Sequence, residues 1–404
     1  PSRQLYIMMR RTTVVMLLIL TATFLVFYLT VPKYRFDQPQ AFNGSFIYNP
    51  YDSIQPEFWR KYNFNIQTNS WGGFPDGRKF SGDRIDSVYQ LIGYDHITIS
   101  DYQKINKFGN QLDRFLPSYK HGYGWNMPQQ LCIGAEKVMW VDYPFLQTLD
   151  HKQSIIDKLN TDSRLIALTH PVHENGYDLV DMKYLSGYHL IEILNNKSIY
   201  TEHWDTALSN GHRIYLLAND HQHKVLSAEE MGKRFTMVNA PDLQMESIID
   251  ALEKGKVYGL DLFKAEEITN SNTSTPNETH PMLIAAKLKS DTFCVEVDKR
   301  AAFFRFIGQN GNDLSIIEDS TKATYVLSPE DTYVRTEITF MNGAVMYLNP
   351  LTRHATSNAE RQVLAQIDHT KTAIYRGIYI VAIVFILQMI FKWQMRKIRL
   401  DKNE

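Results

Sequence analysis

RLIALTHPVHENGYDLVDMKYLSGYHLIEILNNKSIYTEHWDTALSNGHRIYLLAND, residues 164–220, contains the pattern that decides the fold. Three short apolar, β-rich runs stand in it: RLIALTH (164–170), HLIEIL (189–194) and RIYLLAND (213–220). A helical stretch, TEHWDTALSNG (201–211), separates the second from the third. Strand–helix alternation of this kind predicts parallel βα units, and hence a barrel or a doubly wound sheet. In such folds functional side chains gather where strands end. The runs here end on or near polar residues: His170 before Pro171, Glu192, and Asp220.

The same pattern extends upstream. HITIS (96–100) ends at Asp101, LCIGAEKVMW (131–140) carries Glu136, and HKQSIIDKLN (151–160) reads as a helix. The α/β region is expected over 63–264, preceded by an aromatic and polar linker over 32–62. Residues 265–280 are rich in Ser, Thr and Asn and read as a second linker. Beyond it, LIAAKL, TFCVEVD, AAFFRFIGQNG, ATYVLS, TYVRTEITF and AVMYLNP alternate with turn signals, which predicts a small all-β sandwich over 281–354. A helical connector is expected over 355–372.

Two extreme segments flank all of this. Thr12 to Thr30 holds no charge, and about 20 helical residues cross a bilayer core. That run is longer than a signal-peptide core and no small-x-small cleavage site follows it, so 1–31 is expected to be a retained anchor. A second apolar helix is expected over 373–393, followed by the basic tail 394–404. Arg3, Arg10 and Arg11 at one end, and Lys392, Arg396, Lys397 and Arg399 at the other, predict cytoplasmic termini. The bulk of the chain is then extracytoplasmic, which in a bacterium means an inner-membrane protein with a periplasmic domain. The chain opens on Pro1 rather than Met, so its true start is expected upstream. A net charge of −1 provides no broad basic field for nucleic acid. Two cysteines, Cys132 and Cys294, exclude a disulfide scaffold and leave their pairing open.

The order of the strand-end residues resembles the PHP (polymerase and histidinol phosphatase) superfamily. Its opening His-x-His-Thr and Ser-Asp-Gly are matched by Asn65-Ile66-Gln67-Thr68 and Pro75-Asp76-Gly77. Ser100-Asp101-Tyr102 stands for Thr-Asp-His, Gly134-Ala135-Glu136 for Gly-x-Glu, and His170-Pro171 for the later His-Pro. Glu192-Ile193-Leu194-Asn195 resembles the Glu-x-x-Asn, and Ala218 to His223 the final Gly-Thr-Asp-Asp-Ala-His. The resemblance covers about residues 60 to 262 and implies a distorted (β/α)7 barrel, a cluster of up to three metal ions, and phosphoester hydrolysis.

Three ligand positions of that family are changed here. Asn65 and Gln67 replace imidazoles, and Tyr102 replaces a third. Amides bind zinc or manganese weakly beside imidazole. What remains is Glu136, His170, Asp220 and His223, with His173, His203 and His221 as substitutes. Three readings stay open: one zinc or manganese ion on that reduced set, activating water; a pseudoenzyme whose polar residues satisfy one another; and a polar ligand pocket lined by Asn65, Gln67, Trp71 and Tyr102. Asp101, Tyr102 and Glu192 line the same expected mouth. Sequons begin at Asn43, Asn196, Asn272 and Asn277. No phosphate-cradling glycine loop, nucleophile elbow or internal repeat is present. The expected role is a non-catalytic scaffold or accessory subunit that meets other membrane-protein subunits through its helices. The alternative is a metal-dependent phosphoesterase-like hydrolase.

Overall fold

A computed structural model describes residues 3–73, 78–125, 127–172, 176–195, 198–220, 231–265, 280–357 and 361–400. The chain divides into two compact units.

The first unit holds both ends of the chain: Pro1–Asp37, Gln147–Ser154 and Ala365–Glu404. Its helices Arg3–Leu29 and His369–Leu400 contain spans Thr12–Leu29 and His369–Gln394, long and apolar enough to cross a membrane. Only 6 % of either span is buried within the protein, unlike the core helix of a soluble fold. A two-stranded antiparallel ribbon, Tyr34–Phe36 against Ala365–Ile367, joins the segments beside them. The expected helical connector over 355–372 is therefore corrected: this strand occupies part of it, and the helix starts only at His369.

The last carbonyls of a helix have no partner inside it. Here other segments of the same unit supply them. His151 Nε2 lies 3.0 Å from the Tyr28 carbonyl, and Arg376 Nε donates to the Thr30 carbonyl at 2.9 Å. Asp150 accepts from Lys33 Nζ at 3.0 Å and from the Tyr34 amide at 2.9 Å.

The second unit, Gln38–Leu146 and Ile155–Leu364, contains two sheets. A six-stranded sheet has the order Tyr215–Asn219, Leu190–Asn195, Ser163–Thr169, Gln129–Ala135, Ser118–His121, with Ser198–Ile199 added beside Leu190–Asn195. The first three strands are parallel, as their helix-linked sequence predicts. Gln129–Ala135 is antiparallel to both of its neighbours. A short loop rather than a crossover helix connects it to Ser118–His121. Gly122 opens that loop at φ +106°, where a Cβ would lie 2.3 Å from the Pro128 carbonyl oxygen.

The ten-stranded sheet runs from Leu283–Lys289 through Thr292–Ile307, Tyr333–Phe340, Val345–His354, Val257–Asp261, Arg234–Asn239 and Trp59–Ile66 to His96–Ile99. Trp59–Ile66 and His96–Ile99 pair in parallel. The strands after residue 281 continue this sheet through the pairing of Tyr258–Asp261 with Val345–Leu348. Two of the expected short runs merge into the 16-residue strand Thr292–Ile307. Phe64, Leu131, Ile133, Leu165, Leu190, Leu217, Val238 and Ile249 form one buried cluster, and Trp59, Phe235, Tyr258, Phe293 and Phe306 belong to another.

Candidate functional site

The parallel strands point their C-terminal ends the same way, which brings Gln67, Asp101, His170, Glu192, Asn195, Asn219 and Asp220 to that end of the unit. Along Trp59–Ile66, Asn63 and Asn65 share a face because side chains alternate. All these residues are buried. A buried polar group needs partners, and they find them chiefly in one another.

Glu192 is the centre. Its Oε1 accepts from Asn65 Nδ2 at 2.9 Å and Asn219 Nδ2 at 2.7 Å, and its Oε2 from Asn195 Nδ2 at 2.5 Å. Burial raises its pKa, while the charge of Lys120 and the three amide bonds oppose the rise. His170 stands beside it, Nδ1 lying 3.7 Å from Oε2. On its other side, His170 Nε2 is 2.9 Å from the Lys120 ammonium. An ammonium only donates, so Nε2 is the acceptor and the proton sits on Nδ1, toward Glu192. Lys120 is fully buried and also lies over the Tyr102 ring, 5.3 Å from its centroid. Arg78 faces the same ring at 5.2 Å, and Gln129 Nε2 donates to the Tyr102 hydroxyl at 2.6 Å.

Asp220 forms a second knot. It accepts from Asn63 Nδ2, from the Tyr89 hydroxyl at 2.6 Å, from the Tyr94 hydroxyl at 3.4 Å and from the Gly232 amide at 2.9 Å. Burial still pushes its pKa up to about 6, against the pull of these donors and of Lys61. Asp101 forms a third: it takes Thr68 N, Thr68 Oγ1, Ser70 Oγ and Asn106 Nδ2 at 2.6–2.8 Å. Its work is to tie down the loop after Ile66.

Backbone strain gathers nearby. Trp71, Gln103, Met127 and His170 all have positive φ without being glycine, a conformation that costs energy and clusters at functional sites. Trp71 Nε1 donates to the Tyr102 carbonyl, and the Gln103 amide to the Lys120 carbonyl, both at 2.9 Å. Gln67 Oε1 and both side-chain polar atoms of Gln103 are buried without a hydrogen-bond partner among the described residues.

The structure corrects one candidate. Glu136 follows the strand antiparallel to Ser163–Thr169, and Ala135 pairs with Ser163, the opposite end from His170. It is exposed, and its amide bonds to the Asp162 carbonyl. The expectation placed it with the others because it treated every run as parallel. His223, His221, His173 and the Pro75-Asp76-Gly77 stretch lie outside the described residues. His203 is on the helix Thr201–Ser209, buried, with its pKa lowered by burial. Among the described residues, no three His, Cys, Asp or Glu side chains group as a metal site. Lys120 was absent from the sequence expectation; the only signal was a charged residue inside the four-residue strand SYKH.

No protein-family model matches the chain, and no curated protein matches it. Among solved structures it is similar to a two-domain protein containing a predicted PHP-like metal-dependent phosphoesterase from Bacteroides vulgatus. The two are 11 % identical with a TM-score of 0.39, over 80 % of this chain and 99 % of that one. Metal dependence is a property ascribed to that protein.

Proposed function

We propose that this chain is a membrane-anchored, extracytoplasmic PHP-like protein whose strand-end site has exchanged metal chemistry for a closed hydrogen-bond network. In this reading the strands of the two sheets make a distorted barrel, and the protein serves as a non-catalytic accessory subunit of a membrane complex. The observation that carries it is the Lys120–His170 contact. An ammonium at 2.9 Å occupies the imidazole lone pair that a divalent ion would need, and its charge repels such an ion. Both Glu192 oxygens are already taken by amides. The described donor set therefore does not suit zinc or manganese. Two apolar helices, more than tethering requires, supply lateral surface for partner helices in lipid.

The test uses the full chain purified in mild detergent. Metal analysis should find no stoichiometric zinc or manganese, a generic phosphodiester should not turn over with either ion added, and a stoichiometric membrane partner should co-purify. One bound metal per chain, with turnover lost in His170→Ala, would establish the hydrolase instead.

A further inference from the structure

We infer that a half-open cleft of about 570 Å³, between the helix Thr201–Ser209 and the strands Thr292–Ile307, Tyr333–Phe340 and Val345–His354, binds a neutral, hydroxyl-rich ligand of sugar size. Its volume falls within the usual range of small-molecule sites, roughly 300–1,000 Å³. The inference is independent of the metal question at the strand ends.

The cleft is built rather than left over. Its floor is a cross-strand row, Arg305 opposite Glu337 and Glu337 opposite Tyr347. Its wall is Asp205 on the helix, held by Arg335 Nε and Nη2 at 2.7 Å each. The turn Gln309–Gly311 closes one end by docking on Ser209: Gln309 Nε2 donates to its carbonyl and the Asn310 amide to its hydroxyl, both at 2.8 Å. Asn310 takes φ +60° to do so. A Cβ on Gly311 would come 2.9 Å from Asp205 Oδ2, so glycine is needed for the close approach.

One group points to a ligand. Tyr347 is only 4 % exposed and lines the cleft, yet its hydroxyl keeps solvent contact and has no hydrogen-bond partner among the described residues. It therefore opens into the cavity, ready to donate to or accept from an occupant. The charges fix the class of that occupant. Arg335 is committed to Asp205 and Glu337, and Arg305 to Glu337 and Asp313. An anion would have to break those pairs while facing Asp205, Glu337 and the exposed Glu202 at the rim. A cation would find the inner carboxylates already neutralised. A neutral polyol breaks none of them: its hydroxyls accept from guanidinium N–H groups and donate to carboxylate lone pairs.

Saturation-transfer NMR on the full chain in lipid nanodiscs, free of glycoside detergent, tests this with glucose, N-acetylglucosamine and cellobiose at millimolar concentration. Glucosamine and glucuronate serve as charged controls. Saturable transfer from at least one neutral sugar is expected. Affinity should weaken about fivefold or more in Tyr347→Phe, and at least tenfold in Thr206→Trp, which fills the cleft. Tyr347→Phe removes one oxygen and decides the matter if the larger variant fails to fold. No transfer from any neutral sugar, transfer from a charged one only, or unchanged affinity in either folded variant would overturn the inference.

Discussion

The Lys120 ammonium lies 2.9 Å from Nε2 of His170, with the lysine fully buried and the histidine 7 % exposed. A buried charge is tolerated only with partners, and Glu192 is the carboxylate that balances this one. Removing one member of such a pair costs about 3–5 kcal/mol, because the other stays buried and uncompensated. Lys120→Met should therefore destabilise the full chain by about that much in chemical unfolding. Lys120→Met combined with Glu192→Gln should cost clearly less than the sum of the two single changes. Simple additivity would show that the two charges do not compensate each other.

Asp220 gives a pH signature of definite sign. Its pKa rises from 3.8 in the unfolded chain to about 6 in the folded one. The folded state thus holds the proton more tightly, and the stability this contributes is lost as pH rises through about 6. The difference amounts to roughly 3 kcal/mol at about 1.36 kcal/mol per unit. Relative to wild type, Asp220→Asn should gain stability progressively between pH 4 and 6.5 and hold that gain above it. Melting curves of both proteins across this range provide the check.

Half-buried histidines act in the opposite direction. Burial lowers His96 and His280 to about 4 and His189 to about 3, from 6.5. Each is neutral in the fold, so its contribution is present above pH 6.5 and is lost as pH falls toward 4. Wild type should lose several kcal/mol over that interval, since each group is worth up to about 3. His189→Gln should flatten the curve, read by thermal unfolding at matched ionic strength.

The two thiols should behave differently. Cys132 is fully buried and its pKa is pushed up to about 12, whereas Cys294 is half-buried and the two are unpaired. A maleimide at pH 7.5 should label Cys294 in the native chain and both residues after denaturation. Mass spectrometry of the peptides distinguishes this from equal labelling.

Arg376 donates to the terminal carbonyl of a helix that ends near a bilayer surface in the proposed topology. Arg376→Ala should remove that exposed hydrogen bond and cost about 0.5–1.5 kcal/mol. Thermal unfolding in nanodiscs measures it; no change would mean that water replaces the guanidinium.

The alternation around RLIALTH, HLIEIL and RIYLLAND was legible because those strands are linked by helices and buried on both faces, which makes their signal strong. Strand direction was not. Nothing in LCIGAEKVMW distinguishes an antiparallel strand from a parallel one, so Glu136 was assigned to the wrong end. Lys299-Arg300 separates the runs TFCVEVD and AAFFRFIGQNG, yet the strand continues through both residues. Lys120 escaped notice for a general reason: a lysine reads as surface, and only the fold shows that three strands carry its partners to it. Glu192 was legible within an apolar run, whereas the amides that hold it, Asn65, Asn195 and Asn219, come together only in the fold.

The ribbon between Tyr34–Phe36 and Ala365–Ile367 has a bearing on biosynthesis. Lys33 and Thr372, which share a hydrogen bond beside it, are 339 residues apart. The strand Tyr34–Phe36 must therefore wait, unmatched, until Ala365–Ile367 has been made. Everything between is made before this clasp can close, so a chain stalled late in translation would carry its first strand without a partner.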